Sequence, residues 1–200
     1  MIVLASRSPQ RRALLSHLGL EFRVVAAVFA EHMTGADPGD LVVANALGKA
    51  REVAARAGVP SEGAVLGADT EVVLGGAVLG KPADAKSAGA MLTALAGRTH
   101  HVITGVAVIT PGGELTAHES TQVEMRALAV PEVAWYLGTG EWRDRAGGYA
   151  IQGAGALLIS RIAGDPSNVI GLPMARVALL LASVGLWPPH AGPGDGARAS

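Results

Sequence analysis

The chain has 200 residues, half of them apolar and 16% charged, with a net charge of −1. That length and apolar content suffice for a continuous core and exclude disorder over most of the chain. A near-neutral balance argues against a nucleic-acid partner, and the lack of cysteine excludes disulfides, thiolate metal sites and cysteine nucleophiles.

The most apolar stretch, residues 177–187, ends at Pro188-Pro189 and is well short of the roughly 20 residues that span a bilayer. Met1-Ile2-Val3-Leu4-Ala5 has no basic leader and turns polar at Ser6. No signal peptide and no membrane partner are therefore expected, and the expected location is the cytoplasm. Aromatic residues make up only 4%, which favours helices packed closely on a sheet.

In chain order, residues 2–5 read as a short buried strand. Ser8 is placed to cap a helix that has Pro9 in its first turn, where the missing N–H costs nothing, and Gly19 is a stop signal. Residues 22–28 read as a second strand. Asp37-Pro38 should open a long helix to about residue 57, with Leu41, Val42, Ala46, Val53 and Ala54 at helical spacing and Gly58 ending it. Strands are expected at 65–67 and 71–74, with Gly67-Ala68-Asp69-Thr70 as a small-residue turn, and Gly75-Gly76 marks a hairpin to 77–79. A helix over 84–96 follows, then a strand over 101–110, a turn at Pro111-Gly112-Gly113 and a strand over about 115–126. Pro131 opens a short helix carrying Trp135 and Tyr136. A glycine-rich segment, 147–155, precedes a strand over 156–162, and Pro173 begins the last helix. From Pro188 on, Pro, Gly, Ala and Ser predict a mobile tail. With no repeat or linker, the reading is one α/β domain over residues 1–187 with a tail over 188–200. Its sheet should be mixed, because a hairpin interrupts crossover helices.

Three clusters combine polar residues with turns that expose them. In Ser6-Arg7-Ser8-Pro9-Gln10-Arg11-Arg12, a helix N-terminus just after a strand suits phosphate, and Arg11 and Arg12 can add bidentate contacts; an ordinary capped helix with solvated arginines fits the same residues. Asp69, at the end of an apolar strand, can hold a cation or orient water, and Lys81 in Gly80-Lys81-Pro82 can return to the same sheet edge. The third cluster is Gly148-Tyr149-Ala150-Ile151-Gln152-Gly153 together with the run from Gly164 to Pro173. There the glycines can bring backbone close to a ligand while the Gln152 amide reads a hydrogen-bonding edge. Dinucleotide and Walker A loops are absent. His100 and His101 are neighbours in a strand and face opposite sides, so they do not share a metal. Ser8 and Thr70 have no activating histidine in view.

Taken together the motifs resemble the Maf family of nucleotide pyrophosphatases. Leu4-Ala5-Ser6-x-Ser8-Pro9, Lys49-Ala50, Gly67-Ala68-Asp69-Thr70, Gly80-Lys81-Pro82, Gly147-Gly148-Tyr149-x-Ile151-Gln152-Gly153 and Asn168-Val169-Ile170-Gly171-Leu172-Pro173 follow one another in the family's order. The resemblance implies an inosine triphosphatase-like fold: a mixed elongated sheet flanked by helices, with a cleft between two lobes. It also implies hydrolysis of the α–β phosphoanhydride of a nucleoside triphosphate with Mg²⁺ or Mn²⁺. Asp69 matches the family's catalytic proton acceptor, and Ser6, Arg11, Lys49 and Lys81 match triphosphate-binding positions. Glu31 falls beside the metal with Asp69. Thr70 and Gln152 match base-discriminating positions and are the types of the dTTP/UTP branch. Gln10 stands where that branch usually has Arg, and Ala30 precedes Glu31 where the family often has Asp. A homodimer is compatible with the resemblance, with the Trp135-Tyr136 helix as a contact. A nucleotide-binding regulator of cell division without turnover, or a phosphatase removing terminal phosphate, are the competing readings.

Overall fold

The computed structural model describes residues 1–32 and 37–188; most of the expected tail lies outside them. Ile2, Val3, Leu4 and Ala5 are all buried and form β1 (Ile2–Ala5). An unbroken apolar run is what a strand covered on both faces requires. Helix α1 (Pro9–Ser16) starts as the sequence indicates, with the Ser8 hydroxyl accepting from the Arg11 N–H at 3.3 Å. β2 is confined to Phe22–Val24, four residues shorter than expected, because the chain leaves the sheet and turns toward α2 (Pro38–Ala57). Asp37 caps α2 through the N–H groups of Gly39 and Asp40, and Gly58 closes it at φ +76°.

The remaining elements are β3 (Ala64–Leu74), β4 (Ala77–Leu79), α3 (Ala85–Leu95), β5 (Thr99–Thr110), β6 (Gly113–Met125), α4 (Val130–Thr139), β7 (Ile159–Ala163), α5 (Pro166–Ile170) and α6 (Met174–Ser183). The strands form one mixed sheet in the order β2-β1-β3-β5-β6-β7, with β4 also on β3. β1 runs parallel to β2 and β3, and the other pairings are antiparallel.

Two further expectations need correction. Gly67-Ala68-Asp69-Thr70 is not a turn, because β3 runs straight through it and pairs residue by residue with β5, Asp69 opposite Gly105 and Thr70 opposite Thr104. The expected strand over 156–162 begins only at Ile159, since Gly153–Leu158 is wound into 3-10 turns. The Glu141 carboxylate holds those turns, accepting from Ala154 N at 2.9 Å and Gly155 N at 3.1 Å.

Strand alternation divides β3 between two layers. Val65 packs with α2 residues Ala46, Ala50 and Val53, while Leu66 and Ala68 face Leu15, Leu172, Val177 and Leu181. A third cluster gathers Val72, Val102 and Val123 with α3, Tyr136 and Trp142 at the other end of the sheet. Helix α2 lies directly on the strands because they are small there: a methyl group at Gly67 would collide with the Ala46 carbonyl oxygen, and one at Gly105 with that of Val42. Tyr136 belongs to the core, whereas Trp135 is 51% exposed. Among the described residues no helix is long and apolar enough to cross a membrane.

The feature that positions the site is a gap on one edge of β3. Pairing with β1 ends at Gly67, opposite Ala5, and pairing with β4 begins at Val72, opposite Leu79. Among the described residues, 68–71 therefore have β5 on one side and no strand on the other. Ser6 leaves β1 at one end of this gap, and Gly80-Lys81 leaves β4 at the other.

Candidate functional site

Asp69 occupies the middle of the gap, faces α2 and is only 4% exposed. One carboxylate oxygen accepts from Lys49 Nζ at 2.6 Å, the other from Asn45 Nδ2 at 3.0 Å. Asn45 and Lys49 are one helical turn apart on α2, so a single helix face supplies both donors. Lys49 also pairs with Glu31 at 2.5 Å. Glu31 is held there by the preceding loop, where Phe29 packs on Gly48 so closely that a side chain at Gly48 would strike its ring, and His32 N donates to Asn45 Oδ1 at 2.8 Å. The Lys49 ammonium thus lies between the two acidic groups assigned to a metal by the family resemblance.

Glu71 went unnoticed in the sequence. It follows Asp69 by two residues and so shares its face of β3. It is 7% exposed, and its Oε2 has no hydrogen-bond partner. Burial, reinforced by Asp69 and then Glu31, raises its pKa from 4.5 to about 7. A carboxyl whose folded pKa lies above the unfolded value favours folding fully only below pH 4.5, and that advantage is lost as pH rises toward 7. The cost above pH 7 is about 3 kcal/mol at most, from 1.36 kcal/mol per unit. Glu71→Gln, melted in EDTA, should exceed the wild-type Tm by roughly 5 °C at pH 8 and match it near pH 4.5; an equal difference at both pH values would show that ionisation is not the cause.

On the opposite face of β3, Arg11 Nε donates to the Gly171 carbonyl at 2.7 Å and Nη2 to Thr70 Oγ1 at 2.9 Å. Burial lowers the Arg11 pKa, with Asp69 and Glu31 opposing the shift; the guanidinium stays charged. Ser6 is buried, and its hydroxyl accepts from Ser8 N at 3.1 Å. Gln10 accepts from the Ser8 hydroxyl at 3.1 Å.

These groups line a cleft of 910 Å³ that contains Ser6, Gln10, Arg11, Glu31, Lys49 and Lys81. It continues into a hollow lined by Asp69 and Thr70 and into a recess lined by Gln10 and Gln152. The structure therefore brings the candidate residues Ser6, Gln10, Arg11, Glu31, Lys49, Asp69, Thr70, Lys81 and Gln152 around these spaces, but not Arg12, which is exposed and lines none of them. Arg145 lines all three spaces, and Asp144, at φ +59°, lines two. Both were missed, although the charged run Arg143-Asp144-Arg145 directly precedes the glycine-rich segment.

The glycines around Gln152 serve packing. A side chain at Gly153 would meet the Glu141 carboxylate and one at Gly155 the Ala150 carbonyl. Tyr149 rests on His100, 2.6 Å between hydroxyl and Nε2, and burial brings the His100 pKa down to about 4. His100 is thus a neutral core histidine. Among the described residues no three His, Cys, Asp or Glu side chains are arranged to hold a metal ion.

A mixed α/β sheet with buried carboxylates and cationic side chains converging on one edge defines a class of phosphate-handling enzymes. The chain belongs to the Maf family: the model for Maf-like proteins matches residues 1–184. It is 48% identical to a protein of Symbiobacterium thermophilum named dTTP/UTP pyrophosphatase, over 92% of this chain and 94% of that one. Relatives with the same name in Deinococcus radiodurans, at 46% identity, and Anaeromyxobacter dehalogenans, at 48%, match 92% of this chain and 93% and 94% of their own. The fold is similar to that of the Staphylococcus aureus Ham1 protein, with a TM-score of 0.50 at 14% identity, over 92% of this chain and 97% of that one.

Proposed function

We propose that this chain is a nucleoside triphosphate pyrophosphatase that cleaves the α–β phosphoanhydride of UTP and dTTP, or of modified nucleotides like them, to monophosphate and pyrophosphate. The observation that carries the reading is the buried Asp69 carboxylate at an open sheet edge, with Ser6, Arg11, Lys49 and Lys81 around one cleft. Relatives over nearly the whole chain are named for this activity.

Each Asp69 oxygen spends one lone pair on Lys49 or Asn45 and keeps another for the cleft. Asp69 orients a water against the α-phosphorus and accepts its proton as the new P–O bond forms and the bridging bond to the β-phosphate breaks. The departing pyrophosphate is held by Lys81, by Arg11 and by the N–H groups at the start of α1. Catalysis of this kind rests on position and charge. Thr70 and Gln152, with Gln10 beside Gln152, meet the base.

Magnesium or manganese suits the donors present. Glu31 and Asp69 offer hard carboxylate oxygens, and buried Glu71 carries an unpartnered one. Glu31 and Asp69 would hold the ion, which when bound neutralises phosphate charge.

The test is product identification with UTP, dTTP and Mn²⁺. Monophosphate plus pyrophosphate is expected. Diphosphate plus phosphate would make the protein a phosphatase, and binding with no product at all would make it a nucleotide sensor.

A further inference from the structure

We propose that Thr104, a buried residue with no access to the cleft, sets base selectivity by fixing the direction of the Thr70 hydroxyl. Thr70 then offers the base an acceptor and no donor, and takes the imide N3–H of uracil or thymine. The inference rests on the reading above that Thr70 meets the base.

The hydrogen positions follow from the partners. Thr104 Oγ1 lies 3.1 Å from the Asn168 backbone carbonyl. A carbonyl only accepts, so Thr104 spends its single proton there. Thr70 Oγ1 lies 2.9 Å from Thr104 Oγ1, directly across the β3–β5 ladder. With the Thr104 proton already used, Thr70 must be the donor in that bond. Arg11 Nη2 donates to the same Thr70 oxygen at 2.9 Å. The Thr70 proton and one lone pair are therefore committed, and what remains is one lone pair.

The far end of the chain of bonds is equally fixed. Thr104 and Asn168 are both fully buried. The Asn168 amide donates to the Val102 carbonyl and to Thr121 Oγ1, each at 2.9 Å, and Thr121 in turn donates to the Asp165 carbonyl at 3.1 Å. Turning the Thr104 hydroxyl round toward Thr70 would give up its bond to the Asn168 carbonyl and leave two oxygens 3.1 Å apart with no proton between them, at a cost of about 1 kcal/mol.

Uracil and thymine carry a proton on N3, where cytosine presents a bare acceptor. An acceptor-only hydroxyl pairs with the first and faces the second lone pair to lone pair. Sites built to use a substrate hydrogen bond reject analogues lacking it far more strongly than sites that sort by size.

Thr104→Val removes the lock at almost constant volume. The Asn168 carbonyl keeps its other donor, Gly171 N at 2.9 Å, so no buried acceptor is orphaned. The Thr70 proton becomes free to turn toward the cleft and donate to cytosine N3. Calorimetric binding of α,β-methylene UTP and α,β-methylene CTP provides the readout. The wild type should favour the uridine analogue by at least about tenfold, and Thr104→Val should shrink that ratio by about tenfold, mainly through tighter binding of the cytidine analogue. Thr104→Ser, which keeps the hydroxyl, should preserve the ratio. An unchanged ratio in Thr104→Val, equal weakening of both analogues, or a wild-type preference for the cytidine analogue would each overturn the proposal. Binding needs no hydrolysis: a wild type that shows these ratios but releases no pyrophosphate would refute the enzyme reading and sustain the lock.

Discussion

Asp69→Asn should fold and should release pyrophosphate at least about a thousandfold more slowly than the wild type, near 4 kcal/mol of barrier. An amide at this position cannot take the proton of water. It also disturbs the local bonding, because Asn45 already directs Nδ2 at Asp69 and cannot turn round. The Asn45 Oδ1 is occupied by His32 N, and Nδ2 also donates to the His32 carbonyl at 3.0 Å. The new amide must oppose a donor to Asn45 or to Lys49. A modest fall in stability, about 1–2 kcal/mol, should accompany the loss of rate. Turnover with UTP and Mn²⁺, alongside thermal melting, separates the two effects. A rate loss below about tenfold, roughly 1.4 kcal/mol, would remove Asp69 from the centre of the reaction.

Lys49→Met should be the most damaging change to stability. The ammonium, 9% exposed, is the cation shared by Asp69 and Glu31. Removing one partner of a buried pair leaves the other charge uncompensated and typically costs 3–5 kcal/mol. Glu31 is 31% exposed, so water relieves part of the penalty, and about 3 kcal/mol is expected at pH 8, a fall in Tm of roughly 10 °C. Mn²⁺ added without nucleotide should recover more of the Tm in the variant than it adds to the wild type, because the ion supplies the missing positive charge. A variant that melts like the wild type in EDTA would show that Lys49 contributes nothing to holding the carboxylates. Lys49→Arg keeps the charge on a larger group and should retain more stability than Lys49→Met.

Much of the frame was legible in local signals. Ser8-Pro9, Asp37-Pro38 with Gly58, and Gly75-Gly76 act within a few residues, and the structure places element boundaries at each. What was missed depends on distant partners. Gly67-Ala68 suggested a turn because small residues often punctuate strands; here Gly67 is small so that α2 can lie on the sheet, while Ala68 packs into the layer on the opposite face. Residues 156–158 (Ala-Leu-Leu) read as strand only because their apolar run continues into Ile159, but Glu141 holds the start of this segment in 3-10 turns. Helix α5 has only five residues, too few for periodicity, although its Asp165 cap and Pro166 were visible. Of the site, the residues inside motifs were readable and their pairing was not: nothing local ties Arg11 to Thr70 or Lys49 to Glu31. Glu71 could have been found, since alternation along β3 puts it beside Asp69.

The open edge of β3 has a consequence for the scale of the site. Its span is the offset between the last β1 pair, Ala5 with Gly67, and the first β4 pair, Leu79 with Val72. Five residues of extended chain, at about 3.4 Å each, cover some 17 Å. The distance between the two banks that carry Ser6 and Lys81 is therefore a property of strand register, enforced by backbone hydrogen bonds far from any ligand. On the proposed reading of the site, side chains in the cleft alter what is bound there, while the β3–β4 hairpin acts as the ruler for how long a polyphosphate the two banks would grip.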